Sequence, residues 1–260
     1  MKIAAQLYTL RDFTKTREGF VECLDKVAAM GYAGVQISAV GCMEGDVPEV
    51  TSFDAGSLLK EHGLACCATH RPLSSLLEKP EAEAQFHQDL GCRYTAIGSP
   101  GPGVDIKNPE DWSALAAKLS CAASGLEPWG LAVGYHNHAM EWQRIGAEGT
   151  HPFEILLAET SPLVEFELDT YWAALAAQNP ADLITRLTGR ISMVHVKDLI
   201  PVEWSVTYAP VGEGNLDWDS ILPACEEAGT EWLIVEQDTC LRDPFDCLNS
   251  SFNFLASRLS

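Results

Sequence analysis

The chain has 260 residues, with 17 Lys+Arg against 37 Asp+Glu and a formal charge of −20. So acidic a surface repels polyphosphate and argues against a nucleic-acid partner, while 47% hydrophobic and 21% charged residues make an ordinary globular composition. No apolar stretch approaches the roughly 18 residues of a membrane span, and the N-terminus, MKIAAQLYTLRD, lacks a signal peptide's apolar block. Nine scattered cysteines without a CxxC fit a reducing cytoplasm better than a disulfide framework or a zinc ribbon.

A repeated unit runs along the chain. MKIAAQLYT is the first strand and ends at Gln6, Tyr8 and Thr9. TREGFVECLDKVAAM follows, with Phe20, Leu24 and Val27 on one helical face. It closes on Gly31 and leads into YAGVQIS, which carries Gln36 and Ser38. SFDAGSLLKEH, Gly63 and LACCATH give a third strand ending at His70 and Arg71. PEAEAQFHQDL, Gly91 and CRYTAIGS give a fourth, ending at Ser99. WSALAAKLSCAASGLEPW, Gly130 and LAVGYHNH give a fifth, with His136, Asn137, His138 and Glu141 at or just past its end. HPFEILLAET precedes PLVEFELDT, the sixth, which carries Glu167 and Asp169. NPADLITRLT, Gly189 and RISMVHVKD give a seventh, with His195, Lys197 and Asp198. LDWDSILPACEEA, Gly229 and TEWLIVEQD give the eighth, with Glu236, Gln237 and Asp238, and DPFDCLNSSFNFLASRLS reads as the closing helix. The glycines are expected to take the left-handed conformation that turns a helix end into the next strand. His62 and His87, inside helix-like segments, are expected to face solvent.

Short continuous apolar strands are the mark of strands buried on both faces. Strand and helix alternating eight times predict a parallel sheet closed into a (β/α)8 TIM barrel, a single α/β domain over residues 1–260. An open doubly wound sheet is the competing arrangement, and no GxGxxG supports its dinucleotide-binding form.

Function in a barrel collects at the strand ends, and period-two alternation says which residues point inward. His195 and Lys197 share a side, with Asp198 on the other. Glu165, Glu167 and Asp169 share a side, as do Glu236 and Asp238. Strands five to eight thus each offer a carboxylate or an imidazole at one level. His195 alone is more often a hydrogen-bonded core histidine than a ligand, but four such residues at consecutive strand ends form a site for a divalent metal. Mixed oxygen and nitrogen donors suit Mn²⁺, Co²⁺, Fe²⁺ or Zn²⁺ better than Ca²⁺.

QLYTLRD at 6–12, YHNHAMEW at 135–142, LDTYW at 168–172, HVKD at 195–198, VGEGNLDW at 211–218 and VEQD at 235–238 come in an order and spacing that span the chain. Together they resemble the sugar phosphate isomerase/epimerase family, the xylose isomerase-like TIM barrels. The resemblance implies a divalent cation, Mn²⁺ first with Zn²⁺, Co²⁺, Fe²⁺ or Mg²⁺ as alternatives, held by Asp169, His195 and Glu236. For the fourth ligand it favours Glu141, with His136 beside it as acid/base or substrate contact, and leaves His136 as the alternative ligand. Many relatives carry a glutamate where this chain has Gln36, whose amide can bind a hydroxyl but cannot take a proton.

Such a site polarises a ketone and the adjacent hydroxyl and stabilises an enediolate. The expected function is therefore a metal-dependent sugar or sugar phosphate isomerase/epimerase. Two alternatives are a keto-sugar lyase or dehydratase on the same site and a non-catalytic carbohydrate-binding barrel. An abasic-site endonuclease, which shares the superfamily fold, conflicts with the charge. Glu236, with Glu141 or His136, is expected to exchange the proton, and Lys197 to stabilise the oxyanion or pair with a strand-end carboxylate. His70, Gln36 and His138 are expected to contact the substrate, between walls formed by Tyr8 and Trp172. The only arginines expected near the mouth are Arg71 and Arg242, so an unphosphorylated sugar is at least as well served as a phosphorylated one. The expected setting is cytoplasmic, with a small carbohydrate as partner, no membrane or nucleic acid, and a homo-oligomer left open.

Overall fold

The computed structural model describes residues 1–259. Its elements are β1 (Lys2–Gln6), α1 (Arg17–Met30), β2 (Gly34–Ile37), α2 (Ser52–Glu61), β3 (Ala65–His70), α3 (Leu73–Glu78) and α4 (Pro80–Leu90). Next come β4 (Tyr94–Ile97), α5 (Pro109–Leu126), β5 (Ala132–His136), α6 (Pro152–Glu159), β6 (Val164–Asp169), α7 (Thr170–Leu175) and α8 (Pro180–Arg186). The chain finishes with β7 (Met193–Val196), β8 (Asp198–Val202), β9 (Ser205–Ala209), α9 (Trp218–Ala228), β10 (Trp232–Val235) and α10 (Pro244–Arg258). Eight parallel strands close in the order β1-β10-β7-β6-β5-β4-β3-β2. All eight predicted strands are there, and the closed barrel settles the choice against an open sheet. The six helix-ending glycines all sit at positive φ. At Gly31 the angle is 102° and its N–H donates to the Ala28 carbonyl, closing α1.

The antiparallel pair β8–β9 was not predicted. It grows from the end of β7 and turns at Glu203, which holds φ 53°. A turn without the Asn-Gly or Asp-Gly signal of a tight hairpin, beside Pro201 in one strand, leaves little for a sequence pattern to catch.

Alternation sorts the barrel strands. Outward residues such as Val35, Val133, Leu168, Val194 and Leu233 pack under the helices in the main core. Inward residues Ala4, Ala68, Tyr94, Ala96, Met193, Trp232 and Ile234 fill the lower interior together with Cys67. Tyr94 lies over Gly134, where a Cβ would come 2.3 Å from its hydroxyl, so only glycine fits. The plug keeps the lower half of the barrel dry and leaves the inward positions above it to polar groups.

His62 and His87 depart from the expected exposure. His87 is buried behind β3, with Nε2 2.7 Å from Thr69 Oγ1 and Nδ1 2.6 Å from the Glu83 carbonyl. Its helix carries the histidine on its barrel-facing side, where a β3 hydroxyl provides a partner. His62 is half-buried, against the Leu58 carbonyl and Asp25.

Candidate active site

The upper interior is a buried polar layer. Gln6, Gln36, His136, Glu167, Asp169, His195, Lys197 and Glu236 are all buried there. β7 sends His195 and Lys197 inward together, as alternation requires. Lys197 Nζ lies 2.7 Å from Glu236 Oε2 and 3.0 Å from both Asp169 Oδ2 and Asp238 Oδ2. Burial would drive the proton off Lys197, but these three carboxylates outweigh it and hold the ammonium well above its ordinary range. The salt bridge allowed for Lys197 is thus present, with three partners.

His195 is held on two sides. Nδ1 is 2.9 Å from Glu236 Oε2, and Nε2 is 2.6 Å from Gln36 Oε1. Both partners are acceptors, so the ring carries both protons. Burial opposes that charge, yet Glu167 and Glu236 push the imidazole up to about 10. Glu236 itself would be raised by burial, but Lys197 and His195 bring it well below the usual carboxylate range. Asp169 is raised to about 6 because burial exceeds the pull of Lys197 and His195. Its backbone N–H donates to Asn137 Oδ1 (3.0 Å), and its Oδ1 accepts the Trp172 N–H at the start of α7 (2.9 Å).

Glu167, inward-facing by alternation but without an assigned role in the sequence, stands at the centre of this layer. It shares the inward face with Asp169 one step lower. Oε1 accepts from Gln36 Nε2 at 2.7 Å and Oε2 lies 2.6 Å from His70 Nε2 and 3.2 Å from His195 Nε2. Burial acts to raise its pKa, but His195 and His70 bring it down to about 2. Its place in the same-side triplet Glu165, Glu167, Asp169 was the available signal. Gln36, expected to meet a substrate hydroxyl, is fully buried beneath the mouth. Its amide is occupied by Gln6, His195 and Glu167.

At the end of strand 5 the structure brings His136, and not Glu141, into a cluster of possible ligands. Ligand atoms of His136, Asp169, His195 and Glu236 all lie within 4.8 Å of one another. Glu141, the favoured fourth ligand, is turned elsewhere. Its carboxylate accepts from the Tyr135 hydroxyl (2.6 Å) and the His138 N–H (2.8 Å). Tyr135 alternates with His136 and sits in the layer between strands and helices, so a carboxylate bonded to it is drawn off the barrel axis. Burial raises Glu141 to about 7. Burial, helped by the neighbouring His195, pushes His136 well below its ordinary value, which keeps it neutral. His138 is lowered to about 4 by burial and Lys197.

Two buried atoms in this group, His136 Nδ1 and Asp169 Oδ2, have no hydrogen-bond partner. The 3.0 Å approach of Lys197 to Asp169 Oδ2 is ionic contact without hydrogen-bonding geometry. Buried polar atoms without a hydrogen bond are costly, and one bare imidazole nitrogen with a carboxylate oxygen held only by ionic contact, in one carboxylate–imidazole cluster, fit a cation. A second cluster, His70, His136, Glu167 and His195, overlaps the first. Its carboxylate already has partners on both oxygens.

The other predicted residues line the rim. Trp172 and His138 meet at 5.3 Å between ring centroids, Tyr208 from β9 stacks on Tyr171 at 4.1 Å, and Tyr8 lies under the Arg11 guanidinium. Tyr208 belongs to the unpredicted hairpin. Arg71 is held in a two-bond pair by Glu83 and Arg242 by Glu213, while Arg11 donates to the Tyr8 and Asp238 carbonyls.

Barrel and centre together define a class, a (β/α)8 protein with a buried carboxylate–imidazole cluster at the C-terminal mouth of its strands. Residues 24–250 match the family model described as xylose isomerase-like TIM barrel, and the chain belongs to that family. This is the family that YHNHAMEW, LDTYW and HVKD pointed to. Inosose dehydratase 1 of Bacillus cereus is 22% identical over 276 residues, covering 92% of this chain and 89% of that protein. A sugar phosphate isomerase/epimerase structure from Parabacteroides distasonis matches with a TM-score of 0.81 at 22% identity, over 99% of this chain and 94% of that one. The probable 3-DHS dehydratase of Bacillus anthracis matches with a TM-score of 0.77 at 14% identity, over 99% and 100% of the two chains. At such identities the structures speak for the fold.

Proposed function

We propose that this protein is a divalent-metal-dependent enzyme that takes the proton next to the carbonyl of a keto-sugar and returns it as a sugar isomerase or epimerase. The observation that carries this reading is the His136, Asp169, His195 and Glu236 group, with its converging ligand atoms and two buried atoms that make no hydrogen bond. Four carboxylates, Glu167, Asp169, Glu236 and Asp238, face two cations, Lys197 and a protonated His195, and a dication bound as His195 gives up its proton offsets part of that negative excess. His136, Asp169, His195 and Glu236 would hold it, in preference to a set with Glu141, and their donors suit Mn²⁺ as well as Zn²⁺, Co²⁺ or Fe²⁺. The bound cation supplies Lewis acidity to the carbonyl and the adjacent hydroxyl.

The rest falls to the chain. Glu236 is ionised, and the contacts with His195 and Lys197 fall on its Oε2, leaving Oε1 to take the proton. Lys197 stays charged among its carboxylates and can donate to the substrate oxygen that gains negative charge. Gln36 accepts from His195 Nε2, so loss of a proton leaves Nδ1 free as a ligand, the tautomer set by a partner outside the site. His70, His138, Tyr8 and Trp172 frame the sugar. The arginines at the mouth are paired, which supports a substrate without a phosphate.

A dehydratase is the second reading, favoured by Lys197 Nζ standing 2.7 Å from Glu236 Oε2, an acid beside a base. In elimination, the α C–H bond breaks toward Glu236, its electron pair forms the C=C bond, and the β-hydroxyl leaves as water with a proton from the Lys197 ammonium. The similarity to inosose dehydratases points the same way. We place the protein in the cytoplasm. Its nine cysteines are all unpaired, and among the described residues no helix is long and apolar enough to cross a membrane.

A panel of keto-sugars and sugar phosphates in deuterated buffer with Mn²⁺ tests the reading. We expect deuterium at the α-carbon of an unphosphorylated ketose, slowed about 10²–10⁴-fold in Glu236→Gln. The products separate isomer from dehydrated ketone. Metal binding without exchange into any sugar would overturn the proposal.

A further inference from the structure

Beside His70 lies a cleft of about 680 Å³ between the ends of β3 and β4. In the barrel order these strands lie across from β7 and β10, which carry His195, Lys197 and Glu236. His70 belongs to both places. It lines the cleft, and its Nε2 is 2.6 Å from Glu167 Oε2. Gly98 leaves room for the His70 ring, since a Cβ there would come 3.2 Å from it. The cleft therefore adjoins the candidate active site across His70. Its volume falls in the range of about 300–1,000 Å³ that houses drug-sized ligands, more than a bare monosaccharide needs.

The lining says what it would hold. Leu73 and Leu77 of α3, Ile97 and Pro100 at the end of β4, and Ala114 and Leu115 of α5 make the walls mainly apolar. Of the charged residues there, Arg71 is neutralised by Glu83 in a two-bond pair. Asp111 accepts from the Asp105 N–H and Asn108 Nδ2, and Glu78 and Lys118 contribute one charge of each sign. The lining therefore carries no net positive charge to draw a phosphate or a carboxylate. Apart from His70, no aromatic ring lines the cleft, so a second sugar would find no flat surface to stack on.

We propose that this cleft is a substrate subsite for a neutral apolar substituent, and that the substrate is a keto-sugar bearing an aryl or alkyl group, as a glycoside does. The inference rests on the reading that the buried cluster is a keto-sugar site. Binding can be measured apart from turnover by titration calorimetry of the full chain with phenyl β-D-glucoside and methyl β-D-glucoside. The phenyl compound should bind about 10-fold tighter or more, the gain expected for burying one ring. Ala114 and Ser74 are exposed on α5 and α3, so Ala114→Phe and Ser74→Trp can fill the cleft without touching the core. Each should bring the two affinities together. Equal affinities in the unmodified protein, no binding of the phenyl glucoside, or a preference that survives both folded variants would overturn the subsite. Absence of deuterium exchange with every keto-sugar, alongside an intact phenyl preference, would overturn the enzymatic reading and leave the subsite standing.

Discussion

The two halves of the barrel mouth are built differently. β5, β6, β7 and β10 end in ionisable groups, His136, Glu167 with Asp169, His195 with Lys197, and Glu236. β1 to β4 end in amides, hydroxyls and a single partly exposed imidazole, Gln6, Gln36, Thr69 and His70, before giving way to an apolar cleft. The first half concentrates charge where water is excluded, so each group's protonation is set by its neighbours. The second carries little charge and has room. A barrel can thus keep its proton chemistry on one arc of strands and vary what it admits on the other. Gln36 and His70 join the arcs, since both bond Glu167.

The comparison can be broken most severely at Lys197. Lys197→Met leaves Asp169, Glu236 and Asp238 crowded without their shared cation, and breaking a buried ion pair costs about 3–5 kcal/mol. Urea denaturation of the metal-free variant should show that loss, and added Mn²⁺ should recover part of it by binding the folded form. Next is the seam. Gln36→Leu removes the acceptor of His195 Nε2, and loss of such an orienting partner typically weakens metal binding about 10–100-fold. A Mn²⁺ titration reads this directly, and an unchanged affinity would mean that the two arcs are independent.

The smallest effect concerns stability on the quieter arc. Burial holds the His87 imidazole below its ordinary value, so the unfolded chain binds that proton more readily than the folded one. The contribution is therefore intact above the ordinary histidine value of about 6.5 and is lost progressively as pH falls from there through the lowered folded-state value. His87→Gln should flatten part of the acid limb of a melting-temperature profile, measured by circular dichroism, while leaving metal affinity alone.

Most of this architecture could be read from the chain because each barrel strand is a short apolar run set off by glycines or loops. Period-two alternation also placed Asp169, His195, Lys197 and Glu236 on the inward face. It could not rank Glu167 against Asp169, because both point inward and only depth separates their roles. Nor could it place Glu141. Where a loop carboxylate goes depends on the nearest donor in space, here the Tyr135 hydroxyl. His87 was misjudged for the same kind of reason, since a helical histidine is buried or exposed according to what the neighbouring strand offers it, in this case Thr69. The cleft beside His70 is formed by segments far apart in sequence, and no local pattern announces it.

Asp198 points away from the barrel axis and collects N–H groups. Its carboxylate accepts from the backbone of Leu199, Gly212, Gly214 and Leu216 and from the Trp218 indole. The β8–β9 ribbon is thereby fastened at its root, while at its tip, which its own ladder closes, Trp204 is fully exposed. A segment anchored at one end can be recut at the other. The ribbon's outer turns can be trimmed, lengthened or replaced by a foreign peptide, as exposed tips tolerate, with His195 and Lys197 kept in place by the strand beneath.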